Sequence, residues 1–224
     1  MPETLSFSDA AALPLTTITA WEMLFDRLNV DKEDANKRIL VIGAAGGVGS
    51  IMVQLIKQLT QLQVIATASR PETTAWLESM GADHIINHRH PLSQEFAKHK
   101  LPDVDYVVSL NQTESHYAEI INVIKPQGQF GLIDDPETLD IQPLKPKSLS
   151  LHWEFMFTRS MFQTEDMQAQ HDLLNQVADM IDSGVLKTTV GEHFGTINAS
   201  NLRKAHALLE SQGARGKIVL EGFS

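Results

Sequence analysis

By type and spacing, the residues of this chain best placed to do chemistry are Gly46 and Gly49 in RILVIGAAGGVG, residues 38–49. They stand as the second and third glycines of a G-x-G-x-x-G pattern whose first place is taken by Ala44. Ahead of the pattern, Arg38–Ile42 is an apolar, β-branched run of the kind that forms a strand buried on both faces. After it, Ile51, Leu55, Ile56 and Leu59 recur at helical spacing. A strand, a turn without bulky side chains and a helix make an anion site, because the first helical N–H groups lack intrahelical acceptors and nothing holds a pyrophosphate away. The pattern predicts a dinucleotide site, although a tight strand–helix turn would need glycine for steric reasons alone.

The second strand bears on which dinucleotide. A carboxylate about 20 positions beyond the motif would hydrogen-bond the ribose 2′-OH of NAD. Counting 19 residues on from Gly49 reaches Ala68, followed by Ser69 and Arg70. No carboxylate is there to repel a 2′-phosphate, while a hydroxyl and a guanidinium are there to bind one, which favours NADPH over NADH. Ser69 could equally cap the helix beginning at Pro71, with Arg70 solvated.

These residues need a scaffold, and the chain supplies a regular one. Strands are expected at Arg38–Ile42, Gln63–Thr67, 84–87, 105–110 and 129–133, alternating with helices from Ser50, over Pro71–Met80 and over 91–98 and 113–124. Such alternation means βαβ units and a parallel sheet with both faces covered: an α/β, Rossmann-type, doubly wound fold. Two helices, 6–13 and 19–28, precede the sheet. A long amphipathic helix (165–183, closed by Gly184), a strand-like TTVGEHF, a helix (199–211) and a strand (217–221) follow it.

Residues 148–157, SLSLHWEFMF, differ in kind. Leu149, Leu151, Trp153, Phe155 and Phe157 alternate with Ser148, Ser150, His152, Glu154 and Met156, predicting a long strand with one apolar face. Placed after five parallel strands it should add at a sheet edge, and an apolar edge of that kind needs a cover. The expectation is a homodimer through this strand; the alternative is cover by the chain's own helices.

Composition excludes several classes. The 224 residues are 42% hydrophobic and 21% charged, as expected of a packed globular chain. A net charge of −10 argues against nucleic acid as a partner. With no cysteine there is no disulfide, thiolate zinc site or catalytic thiol. No apolar run approaches a membrane span, and MPETLSFSDA has no signal-peptide core, so a soluble cytoplasmic protein is the default expectation.

The order of features resembles the medium-chain dehydrogenase/reductase superfamily, in particular its quinone-oxidoreductase-like and zinc-type alcohol dehydrogenase-like branch. The matching stretches are AAALPLTTITAWEMLFDRL, VIGAAGGVGS, GADHIINH, SLSLHWEFMFTRSMFQTEDM and GKIVLEG. The resemblance implies an oxidoreductase acting on a small molecule. It also implies that a GroES-like domain is missing ahead of this chain, with 1–160 forming the NADP-binding Rossmann domain and 161–224 returning into the absent substrate domain. Carried over by position, Gly46, Gly47, Val48 and Gly49 would bind the pyrophosphate, and Thr19 would face the nicotinamide end. Ser69 and Arg70 would hold the 2′-phosphate, His88 would stand where relatives often have a Tyr beside the adenosine phosphate, and Asn111 would line the crevice. Zinc-dependent members carry a Cys ligand where this chain has Leu15, so the resemblance implies chemistry without zinc, and no catalytic side chain is assigned.

Other clusters carry less. His84, His88 and His90 lack an accompanying carboxylate at metal-ligand spacing. Asp134, Asp135, Asp103 and Asp105 read as turn and cap acids, and Met156, Met161 and Met167 as core or interface packing. The expectation is the cofactor-binding portion of an NADPH-dependent quinone, enone or carbonyl reductase. The alternatives are a zinc-dependent alcohol dehydrogenase and a non-catalytic dinucleotide-binding module.

Overall fold

A computed structural model describes residues 1–223. Two helices, α1 (Phe7–Ala11) and α2 (Pro14–Trp21), lead into the sheet, and α2 runs on through a π-helical turn, Glu22–Arg27. The single helix expected over 19–28 is therefore two segments of different pitch. Alternating elements follow: β1 (Arg38–Ile42), α3 (Gly47–Leu59), β2 (Gln63–Thr67), α4 (Pro71–Met80), β3 (His84–Ile86), α5 (Leu92–His99), β4 (Val104–Ser109), α6 (Thr113–Val123) and β5 (Ile124–Leu132). A 3₁₀ turn, Gln142–Lys147, leads to β6 (Ser150–Trp153). The chain ends with α7 (Thr158–Phe162), α8 (Gln168–Asp182), β7 (Val190–His193), α9 (Ala199–Glu210) and β8 (Lys217–Val219).

The strands β1–β6 form one sheet in the order β3-β2-β1-β4-β5-β6, and every pairing in it is parallel. This is the strand order of a doubly wound dinucleotide fold, with the direction of winding reversing between β1 and β4. Alternation along β1 splits the core into two layers. Ile39 and Val41 pack with Ile51, Leu55, Val64 and Val108, whereas Leu40 and Ile42 pack with Ile65, Val107, Phe130 and Leu132. Helix α8 adds Val177 and Ile181 to the first layer. Strands β7 and β8 pair in parallel as a separate two-stranded sheet.

β5 begins earlier than the pattern suggests, at Ile124, and its register against β4 shifts between Val104 and Tyr106. Pro126 lies in this stretch and has no N–H for a ladder, so the pairing is irregular there.

β6 takes the edge position, but it is a strand only from Ser150 to Trp153. The strict alternation expected over 148–157 breaks at Glu154, whose side chain is buried at 3% exposure while Trp153, Phe155 and Phe157 are about half exposed. The break coincides with a polar cluster built around the buried Glu22, Glu154 and Arg159 side chains. Arg27 Nε donates to Glu154 Oε2 at 2.7 Å, and Arg159 Nη1 donates to Glu22 Oε1 at 2.6 Å and to Asp26 Oδ2 at 2.9 Å. Asp166 accepts from the other side of the same guanidinium. This cluster pins the chain beyond Trp153 to the π-helical turn.

Candidate functional site

The glycine turn is built at the carboxyl end of β1. Gly43 has φ +76°, a conformation that favours glycine, and its N–H donates to Thr67 Oγ1 on the neighbouring strand. The turn residue with left-handed backbone is thus Gly43, one position before the Ala44 that stands in the fingerprint's first place. Gly46 is the extended N-cap of α3, its N–H donating to the Gly43 carbonyl at 3.1 Å. A Cβ on Gly49 would stand 2.3–2.5 Å from the Ala44 backbone, so this glycine lets α3 press directly on the end of β1. The amides of Gly47, Val48 and Gly49 occupy the first turn of α3, where no intrahelical acceptor exists.

A cleft of about 880 Å³ opens over this turn. It lies outside the carboxyl ends of β1, β2 and β4, where the strand order reverses, as open α/β sheets place their ligands. Of the residues singled out from sequence, Gly46, Gly47, Ser69, Arg70, His88 and Asn111 line it. Gly49 and Val48 stand behind the wall, Gly49 buried and Val48 packed against the core. Thr19 is also outside: it is 6% exposed in α2, and its hydroxyl donates to the Leu15 carbonyl at 3.0 Å.

Ser69 does not cap α4; the N-cap is Arg70, without a side-chain capping bond. Arg70 reaches across the cleft, its Nη2 donating to the Gly213 carbonyl at 2.9 Å, and its Nε lies 3.1 Å from Glu72 Oε1. Both side chains of the Arg70–Glu72 pair are solvent-accessible, so this pairing is weak and open to exchange. Asn111 stands opposite Gly43, where a Cβ on the glycine would meet its Oδ1 at 2.6 Å.

Four features of the wall escaped the sequence reading. Gly43 carries the turn, and its only sequence signal is a glycine directly after a strand. Arg89 and His116 add a second guanidinium and a second imidazole to the lining that Arg70 and His88 share. Segment 211–216 forms a strap: Gly216 N–H donates to the Ala45 carbonyl at 2.8 Å, and Gln112 Nε2 donates to Gln212 Oε1 at 2.6 Å. Arg215 lies over the Trp76 ring, 5.4 Å from its centroid, while Trp76 Nε1 donates to Ser50 Oγ on α3.

The guanidinium groups of Arg70 and Arg89 make this part of the cleft favourable to an anion. His88 and His116 are both held below the ordinary histidine range, His88 by burial and then by the charges of His116, Arg89 and Arg70, and His116 by burial. The acids nearby are engaged: Glu95 by His90, Lys98 and the Asn87 N–H, and Glu119 by the Ser93 N–H, the Ser93 hydroxyl and Asn122.

The residues present fit a dinucleotide: a side-chain-free turn at a helix start, two guanidinium groups at one end of which Arg70 has only a solvent-accessible pairing with Glu72, and an unpartnered buried His88 Nδ1 among the described residues. They do not fit zinc. The chain has no cysteine, and no three His, Asp or Glu side chains among the described residues converge as ligands. Asp134 serves as a cap, accepting from the Thr113 N–H at the start of α6. No helix among the described residues is long and apolar enough to cross a membrane.

Sheet order, glycine turn and cleft together define a Rossmann dinucleotide-binding protein. Residues 80–220 match the family profile of the zinc-binding dehydrogenases, and the chain belongs to that family, within the medium-chain dehydrogenase/reductase superfamily. The zinc-type alcohol dehydrogenase-like protein SAR2277 of Staphylococcus aureus MRSA252 is 40% identical over 98% of this chain and 66% of its own length. A crystal structure of a Rhizobium etli CFN 42 protein bearing the name zinc-dependent alcohol dehydrogenase matches with TM-score 0.94 and 53% identity, over 100% of this chain and 66% of that one. The CurK enoyl reductase matches with TM-score 0.80 and 26% identity, over 99% and 64%. The chain thus spans just under two thirds of the length of these relatives.

Proposed function

We propose that these residues are the cofactor-binding portion of an NADPH-dependent oxidoreductase that reduces a quinone, enone or other carbonyl without zinc. The observation that carries the reading is the meeting of Ser69, Arg70 and Arg89 on one wall of the cleft, with Ala68 where an NAD-binding site would place its carboxylate. The CurK relative's name, enoyl reductase, supports the substrate class.

When bound, the nicotinamide supplies a hydride; the protein's part is to bind and orient it. The amides of the first turn of α3, Gly47 at the cleft lining and Val48 and Gly49 behind it, would hold the pyrophosphate at the positive end of the helix. Gly46 and Gly43 keep side chains out of the path, and Asn111 closes the floor of the crevice. Arg70 would exchange the Gly213 carbonyl for the 2′-phosphate, a charge-assisted partner, and the Ser69 hydroxyl would donate beside it. By the family pattern Thr19 would face the nicotinamide end, from outside the cleft lining, and His88 would face the adenosine phosphate. Residues 1–160 form the cofactor domain and 161–224 return toward the substrate domain, a division the separate β7–β8 sheet supports. The partner is a second copy of the chain, docked on the unpaired β6 edge and its half-exposed Trp153, Phe155 and Phe157.

Steady-state oxidation of NADPH against a panel of quinones and enones, using the longest natural chain that contains these residues, tests the reading. Turnover without bound metal supports it. Stoichiometric zinc that activity requires would replace it with a zinc-dependent alcohol dehydrogenase, the activity named for the Rhizobium relative. Cofactor binding without turnover would leave a non-catalytic dinucleotide module.

A further inference from the structure

We propose that His88 and His116 form a two-imidazole subsite that takes up a proton as the cofactor's 2′-phosphate binds, making His116 a determinant of cofactor specificity. The inference rests on the NADPH reading above and adds to it a second phosphate-sensing element of a different chemical kind.

The geometry brings the two rings together from distant segments. His88 follows β3 and His116 lies in the second turn of α6, yet their ring centroids are 6.3 Å apart at an interplanar angle of 80°. Both rings line the cleft that Ser69, Arg70 and Arg89 also line. Neither ring hydrogen-bonds a protein group among the described residues, and His88 Nδ1 is buried without a partner. His90 differs: its Nδ1 lies 2.9 Å from Glu95 Oε1 and it is committed to that acid.

The charges around the pair make it responsive to an anion. Arg70 and Arg89 face it as cations from the start of α4 and the loop after β3. Glu72 is drawn to Arg70, Glu95 on α5 to His90, Lys98 and His99, and Glu119 on α6 to Ser93 and Asn122. No acid is left to stabilise an imidazolium; burial holds both rings below the ordinary histidine range, and at His88 the neighbouring His116, Arg89 and Arg70 add to it. A phosphate monoester reverses that balance, since it carries close to two negative charges above its second pKa of about 6. Each ring that gains a proton becomes a charge-assisted donor to it. The complex then holds more protons than its separate components, so affinity for the phosphorylated dinucleotide falls as the pH rises from 6 toward 8. NADH lacks the phosphate and carries no such dependence.

Fluorescence titration of the folded chain with NADPH and with NADH, from pH 6 to pH 8, tests this in wild type, His116→Gln and His88→Gln. The expected result is a wild-type NADPH-to-NADH affinity ratio that falls about tenfold over that range, an average uptake of about half a proton, and a ratio in His116→Gln that stays within about twofold. Wild-type slope retained in His116→Gln, or a flat wild-type ratio with NADPH still preferred, overturns the inference and leaves the NADPH reading standing. NADH bound more tightly at every pH overturns both. Proton NMR of the imidazole resonances is independent of any variant: both histidine pKa values should rise when NADPH is added and stay fixed with NADH, and unmoved values with NADPH overturn the inference.

Discussion

Gly216 donates its backbone N–H to the carbonyl of Ala45 at 2.8 Å, so the strand that ends the fold is tied directly to the turn that begins the cofactor cleft. Gly216 has φ +54°, and a Cβ there would stand 2.2 Å from the Thr189 carbonyl and 3.0 Å from Trp76 Cζ2. Gly216→Ala must displace the strap or β7. The expected cost is about 1–3 kcal/mol of stability, with weaker dinucleotide binding through the distorted turn. Thermal melts and cofactor titration check both; a wild-type melting temperature with wild-type affinity would refute the tie.

Gly49 makes a sharper steric claim. A Cβ there falls 2.3 Å from the Ala44 carbonyl oxygen, a backbone atom with no rotamer to yield. Gly49→Ala should cost on the order of 1–3 kcal/mol as overpacking between α3 and β1, although alanine otherwise favours a helix. Urea unfolding of the two proteins measures it, and a more stable variant would contradict the close approach.

Glu154 predicts a pH dependence. Burial, with the Glu22 carboxylate nearby, holds its carboxyl at about 8, well above the usual 4.5. A raised carboxylate pKa means the folded state keeps a proton that the unfolded state loses. Its contribution is fully present below pH 4.5 and lost as the pH rises through about 8. The slope for this one proton is about 1.4 kcal/mol per pH unit at most. Glu154→Gln, neutral at every pH, should flatten the fall in stability between pH 5 and pH 8. Chemical denaturation at several pH values reads this out, and an unchanged slope would mean that Glu154 is ionised in the fold.

The exposed aromatic residues after β6 bear on assembly. Phe155 and Phe157 pack edge to face, with centroids 5.5 Å apart, and remain half exposed. Sedimentation should find wild type dimeric and Phe155→Asp monomeric or aggregated. A monomeric wild type would remove the edge pairing.

The sheet was legible because its signals are local. Strand runs such as Arg38–Ile42 and Gln63–Thr67, and stops such as Gly81 at φ +101° and Gly184 at φ +74°, depend on nearby residues. The glycine turn and the Ser69–Arg70 pair were legible for the same reason. What the sequence hid depends on contacts between distant segments. Alternation over 148–157 promised a long strand, but the strand ends after Trp153, where Arg27, far upstream, pairs with the buried Glu154. His116 and the 211–216 strap reach the cleft only through tertiary packing, and nothing in their own neighbourhoods marks them. The π-helical turn at Glu22–Arg27 looked like ordinary helix, since its apolar spacing differs little from one.

With Arg70 in the proposed role of 2′-phosphate ligand, the cleft prefers the phosphorylated dinucleotide. Titrating wild type and Arg70→Ala with NADPH and NADH under identical salt and pH is the most direct test. Wild type should bind NADPH more tightly, and Arg70→Ala should lose about 10- to 100-fold for NADPH, the worth of a hydrogen bond to a charged group, with a much smaller loss for NADH. Equal losses for the two cofactors, or a wild type that prefers NADH, would contradict it.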